Sequence, residues 1–153
     1  MDPQELAIDD AKPLPETPPW TVLVVDDDPG VLAISRMALR RVRVEGRDLT
    51  LVTAQSGAEA VRWLEGHAEP DVLLVDMQLE TADAGMALLR ELRNRLGCRW
   101  ARVLLRSGGD MSRLQADLVD LDVSAVIGKA EIGLAELRAA VAQVLGELNG
   151  RSA

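Results

Sequence analysis

The chain has 153 residues, 48% of them hydrophobic and 27% charged, the composition of one globular domain with room for a sizeable core. Its formal net charge of −8 argues against a nucleic-acid surface, because neutralising phosphates requires clustered Lys and Arg. No stretch approaches the roughly 20 apolar residues that a membrane span needs.

Five of the seven prolines (Pro3, Pro13, Pro15, Pro18 and Pro19) fall in residues 1–19. Residues 1–20 also carry five acids (Asp2, Glu5, Asp9, Asp10, Glu16) against Lys12 alone, so −4 of the net charge lies there. This composition predicts a disordered Pro-rich acidic tail over 1–19, a folded domain over 20–149 and a short disordered C-terminus at 150–153. The Pro-x-x-Pro spacing of Pro15-Glu16-Thr17-Pro18 is what chance produces in so proline-rich a segment. The acidic N-terminus lacks the apolar core of a signal peptide, and Cys98, the single cysteine, excludes an internal disulfide; both features predict a cytoplasmic protein.

From Trp20 onward, short apolar runs alternate with longer helical patterns, the signature of βαβ units around a parallel sheet. The first strand is predicted at 21–26 and is followed by Asp27, Asp28 and Pro29, a proline suited to the first helical position. In the helix that follows, Val31, Ile34, Ala38 and Val42 recur on one face. A second strand near 48–54 alternates, so it suits a sheet edge, and Ser56-Gly57-Ala58-Glu59 is a capping box opening the second helix. The third strand, 71–76, ends in Asp76, and Met86, Leu89, Leu92 and Leu96 then mark the third helix. The fourth strand, 102–106, reads as apolar and central, with a weakly patterned helix following from about Asp110 to Leu118. The fifth strand near 123–127 is short and edge-like, and Leu134, Leu137, Val141, Val144 and Leu148 align on a last helix that Asn149-Gly150 stops. His67, the only histidine, lies near the end of the second helix as a cap or exposed residue, and Trp63 and Trp100 read as core or rim. The fold class is therefore α/β: a doubly wound, five-stranded parallel sheet with flavodoxin-like (βα)5 order 2-1-3-4-5.

Parallel strands joined by helices place all their C-terminal ends on one side of the sheet. The residues collected there are Asp26, Asp27 and Asp28, then Asp76, Ser107 and Lys129. At about 4 Å, two like charges repel by about 4 kcal/mol at an effective dielectric near 20, so such carboxylates require a cation, a lysine or a proton. Each residue alone has an ordinary explanation as a cap, a turn or a solvated charge. Together they make a set of groups suited to phosphoryl transfer.

Across residues 20–148 the chain resembles the receiver domains of two-component response regulators, of the stand-alone single-domain type. The resemblance is carried by Val22-Leu23-Val24-Val25-Asp26-Asp27-Asp28-Pro29, by Asp71-Val72-Leu73-Leu74-Val75-Asp76-Met77-Gln78-Leu79 followed by Gly85, by Ser107-Gly108 and by Lys129. It implies that Asp76 accepts a phosphoryl group and that Mg2+ is held by Asp26, Asp27, Asp76 and the backbone carbonyl of Gln78. It further implies that Ser107 and Lys129 act catalytically on the phosphoryl oxygens. The donor it implies is a histidine kinase or phosphotransfer protein, and the output a contact with a downstream protein target, with no direct nucleic-acid or membrane role and with a homodimer as one option. Such a module signals and is not an enzyme. The alternative is a pseudo-receiver, a binding module that keeps the fold without being phosphorylated.

Several positions depart from the family pattern. Glu80 stands where proline is usual four residues after the acceptor, and the interval to Gly85 is one residue longer than the commonest spacing, so an unusual loop over 77–84 is expected. Val126 replaces the aromatic switch residue in a chain with no Phe or Tyr, and Ala130 replaces the proline after the lysine, where a trans peptide is expected. A haloacid-dehalogenase-type phosphatase would share an Asp-x-Asp at Asp26 and Asp28, but Gly30 stands where Thr or Val is usual and the length leaves no room for a cap domain. Three aspartates forbid a flavodoxin phosphate loop, and no Gly-x-Gly-x-x-Gly or Walker loop follows the first strand.

Overall fold

The computed structural model describes residues 18–79, 81, 83–109, 111–128 and 133–152, leaving aside the side chains of 134 and 148–152. Lys129, Ala130, Glu80, Asp110 and the tail over 1–17 lie outside the described residues.

Six strands form one sheet in the order β2-β3-β1-β4-β5-β6. They are β1 (Trp20–Val25), β2 (Arg43–Val44), β3 (Arg47–Ala54), β4 (Val72–Asp76), β5 (Arg102–Ser107) and β6 (Val123–Gly128). The five parallel strands follow the expected 2-1-3-4-5 order. The sixth corrects the expected count: Arg43–Val44 pairs antiparallel with Arg47 and Asp48 through a two-residue turn, so the strand expected at an edge is partly covered. In that turn Glu45 and Gly46 have φ of 54° and 74°, the left-handed pair of a type I′ hairpin. Trp20 ties the hairpin to β1: its indole N–H donates to the Val44 carbonyl at 2.9 Å and the Arg47 guanidinium lies 3.5 Å over its ring.

The helices are α1 (Pro29–Leu39), α2 (Gly57–Gly66), α3 (Ala84–Arg90, continued by a π-helical turn over Glu91–Arg95), α4 (Gln115–Asp120) and α5 (Leu134–Ser152). Side chains alternate across the sheet, so each central strand feeds two cores. Leu23, Val25, Leu73, Val75, Val103 and Leu105 pack with buried residues of α2, α3 and α4. Val22, Val24, Val72, Leu74 and Leu104 pack with those of α1 and α5. Burial on both faces explains the continuous apolar runs of β1, β4 and β5.

Three helical expectations need correction. In α1 the buried set is Leu32, Ser35, Ala38 and Leu39, while Ile34 is 52% exposed, because its many apolar residues form two overlapping stripes and periodicity alone does not choose between them. Ser35 is tolerated inside because its hydroxyl donates to the Val31 carbonyl at 2.9 Å. The fourth helix is preceded by a single 3-10 turn over Ser112–Leu114 and ends at Asp120. Helix α5 runs through Asn149-Gly150 to Ser152; an interior glycine costs a helix only about 1 kcal/mol, so this pair is no obligatory stop. The second helix opens as expected, with Ser56 Oγ accepting from the Glu59 N–H at 3.1 Å.

Candidate functional site

The register of the central strands builds the site. Val25 pairs with Val75, so Asp26 follows beside Asp76, and Asp76 itself pairs with Arg106 on β5. The Asp26 N–H donates to the Ala54 carbonyl at 3.0 Å and the Met77 N–H to the Arg106 carbonyl at 2.9 Å, so the ladder extends past the strand ends and holds this row rigid. Side-chain alternation places Asp26, Asp76 and Arg106 on the face that carries Val24, Leu74 and Leu104, with Ser107 on the opposite pleat.

Asp26 and Asp76 are buried to 2% and 3% residual exposure, whereas Asp27 is exposed. One carboxylate oxygen from each of the three lies within 4.8 Å of the others. Two of these carboxylates are held by the backbone just beyond them: Asp26 Oδ1 accepts from the Asp28 N–H at 2.9 Å, and Asp76 Oδ1 from the Gln78 N–H at 3.0 Å. Asp28 is a helix cap, its Oδ1 accepting from the Gly30 N–H at 2.8 Å. Around them is a cleft of about 220 Å³ lined by the three aspartates after β1 and by Asp76, Gln78 and Arg106. Behind it, Gly85 permits close contact between the start of α3 and the end of β4: a Cβ there would lie 2.7 Å from the Asp76 carbonyl oxygen and the Met77 Cα.

The expected residues Asp26, Asp27, Asp76 and Gln78 thus share one cleft. Ser107 is buried at the end of β5 and is not among the residues lining that cleft; its Oγ accepts from the Gly109 N–H at 3.2 Å. Lys129 lies outside the described residues. Val126, at the expected switch position, is 41% exposed on the edge strand. Elsewhere Cys98 is buried, His67 is exposed and stacks on Trp63 with ring centroids 4.4 Å apart, and Trp100 is 68% exposed, at the rim.

Arg106 was not foreseen as a site residue. Its Nη1 donates to Asp26 Oδ2 at 2.7 Å, an ion pair whose side chains keep 9% and 3% of their exposure. The signal was present, since a charge in the run Val103-Leu104-Leu105-Arg106 must find a partner once the strand is central. The strand read as continuously apolar therefore carries a cation into the acidic row.

The donor set suits a hard cation. Octahedral oxygen ligands at 2.0–2.1 Å stand about 3–4 Å apart, so carboxylates already within 4.8 Å need only a small adjustment. When bound, such an ion neutralises the carboxylates and the oxygens of a phosphoryl group brought to them.

A model of the response regulator receiver domain matches residues 22–142. The chain belongs to this receiver-domain family. Receiver domains serve signalling and bind Mg2+ at an acidic pocket of this kind. The 3'3'-cGAMP-specific phosphodiesterase 2 of Vibrio cholerae serotype O1 is 39% identical over 90 residues, which cover 59% of this chain and 17% of that protein. The Probable C4-dicarboxylate response regulator DctR of Priestia megaterium is 34% identical over 74 residues, covering 48% of this chain and 30% of that protein. The chain thus spans well under half the length of these curated relatives. Among solved structures, a CheY-like response regulator receiver domain protein from Methanospirillum hungatei JF-1 superposes with a TM-score of 0.68 at 20% identity, covering 87% of this receiver and 98% of that chain. That likeness confirms the flavodoxin-like fold, with the β2 hairpin strand added.

Proposed function

We propose that this receiver is a single-domain response regulator that accepts a phosphoryl group on Asp76 from a phosphohistidine of a histidine kinase or phosphotransfer protein, with Mg2+ as cofactor. The observation that carries this reading is the buried row of Asp26 and Asp76 with Asp27 at its mouth, one carboxylate oxygen of each lying within 4.8 Å of the others. An Asp76 carboxylate oxygen attacks phosphorus, the nitrogen–phosphorus bond of the donor breaks, and its electron pair returns to the imidazole. Asp76 Oδ1 is held by the Gln78 N–H, which directs the other oxygen's approach. Asp26, Asp27, Asp76 and the Gln78 carbonyl would hold the metal, and Ser107 and Lys129 would take the phosphoryl oxygens. The phosphorylated surface then meets a downstream protein in the cytoplasm.

A pseudo-receiver that binds its partner without phosphorylation is the second reading, favoured by Arg106, whose guanidinium forms a buried ion pair with Asp26. Acetyl phosphate with Mg2+ separates the two. Intact-mass measurement is expected to show one hydroxylamine-sensitive phosphoryl group on the wild type and none on Asp76→Asn. Modification that persists in Asp76→Asn, or none with any donor, rejects the phosphoacceptor.

A further inference from the structure

Arg106 takes no part in the phosphoacceptor chemistry above, yet it is 7% exposed within the acidic row. Its backbone pairs with Asp76, on the adjacent strand, while its guanidinium meets Asp26, one strand further. Neighbouring strands lie about 4.8 Å apart, so the backbones of β5 and β1 are roughly 10 Å apart, and the Arg106 and Asp26 side chains together bridge the intervening strand that carries Asp76. Its Nε is buried and has no hydrogen-bond partner among the described residues.

We propose that Arg106 is a tethered counter-ion that competes with the divalent metal for Asp26, so that loading the site exchanges an internal cation for an external one. This rests on the metal-binding part of the reading above. Asp26 Oδ2 already accepts from Arg106 at 2.7 Å, and Oδ1 from the Asp28 N–H at 2.9 Å. A divalent ion held by Asp26 would set its charge against the guanidinium on the same carboxylate, and the two cations would repel. The guanidinium must therefore give way, and part of the metal's binding energy is spent separating a buried ion pair. Among the described residues Arg106 has one ion pair and no partner for its Nε, so little else there holds it. Asp76, its pairing partner on the adjacent strand, lines the same cleft.

Titration calorimetry with Mg2+ alone, without any phosphodonor, tests this. Arg106→Met is expected to bind Mg2+ at least about tenfold more tightly than the wild type, and Arg106→Lys to fall between them. A Kd that is unchanged or weaker in Arg106→Met, or Mg2+ binding to neither protein, overturns the proposal. Should Arg106→Met fail to fold, the wild type suffices: the Arg106 Nε–H resonance is expected to move as Mg2+ is added and to saturate with the calorimetric Kd, and an unmoved resonance in protein that binds Mg2+ overturns it. Tighter Mg2+ binding by the variant with no phosphorylation of the wild type would leave this inference standing and remove the phosphoacceptor instead.

Discussion

The two ends of the sheet each enclose an arginine, and the two are satisfied in opposite ways. Arg93, in the π-helical turn after α3, donates to four backbone carbonyls, those of Cys98, Ala101, Leu121 and Asp122, at 2.8–3.1 Å. It fastens the end of that helix to the loops leading into β5 and β6, and burial lowers its pKa from the ordinary arginine value. Arg106, at the other end, has one ion pair and a buried Nε with no partner among the described residues. A saturated cation fixes structure, whereas an under-satisfied one beside competing anions is free to exchange partners. The difference separates the supporting end of this receiver from its acidic end.

The largest effect that tests this contrast is the loss of Arg93. Arg93→Met leaves four carbonyls without their charged donor and is expected to cost about 3 kcal/mol in urea unfolding, equally with EDTA or saturating Mg2+. Arg106→Met is expected to cost about 2 kcal/mol in EDTA, because Asp26 loses its 2.7 Å buried ion pair, and to recover most of that loss in saturating Mg2+. Equal metal rescue of both variants would erase the distinction between the two ends.

Gly85 sharpens the comparison from the acidic side. Alanine there drives a Cβ to within 2.7 Å of the Asp76 carbonyl oxygen and the Met77 Cα, and backbone must move to admit it. Gly85→Ala is expected to cost about 2 kcal/mol and to weaken Mg2+ binding through displacement of Asp76, whereas Gly66→Ala, where a Cβ meets nothing within 4 Å, is expected to be neutral or slightly stabilising. Thermal melts with and without Mg2+ check both.

What the sequence disclosed follows the strength of local signals. Asp26, Asp27 and Asp76 were visible because each ends or follows a continuous apolar run, and the strand ends of a parallel sheet converge. The β2 hairpin was missed because its turn is Glu45-Gly46, lacking the Asn or Asp that usually announces a type I′ turn. The buried face of α1 was misjudged because Ile34 and Met37 compete with Leu32 and Leu39 for the core, and only the sheet decides. Arg93 and Arg106 escaped for a common reason: an arginine's role depends on which carbonyls or carboxylates the fold brings to it, and those lie 5–80 residues away in the chain.

The smallest expected effect belongs to the supporting end and titrates in alkali. Burial is the first cause, and nearby Glu69 the second, that pushes the Cys98 thiol above its ordinary pKa; its carbonyl is one of those held by Arg93. A raised pKa in the folded state means that the unfolded chain loses this proton first as pH rises. Stability is therefore complete below the unfolded value of about 8.5 and declines above it, by at most about 1.4 kcal/mol per pH unit until the folded thiol also ionises. Urea midpoints at pH 7 and pH 10 are expected to converge for wild type and Cys98→Ala, because the variant loses packing at both pH values but escapes the alkaline penalty. A gap that stays constant would show that Cys98 ionises as easily folded as unfolded, and that the supporting end is more open to water than its packing implies.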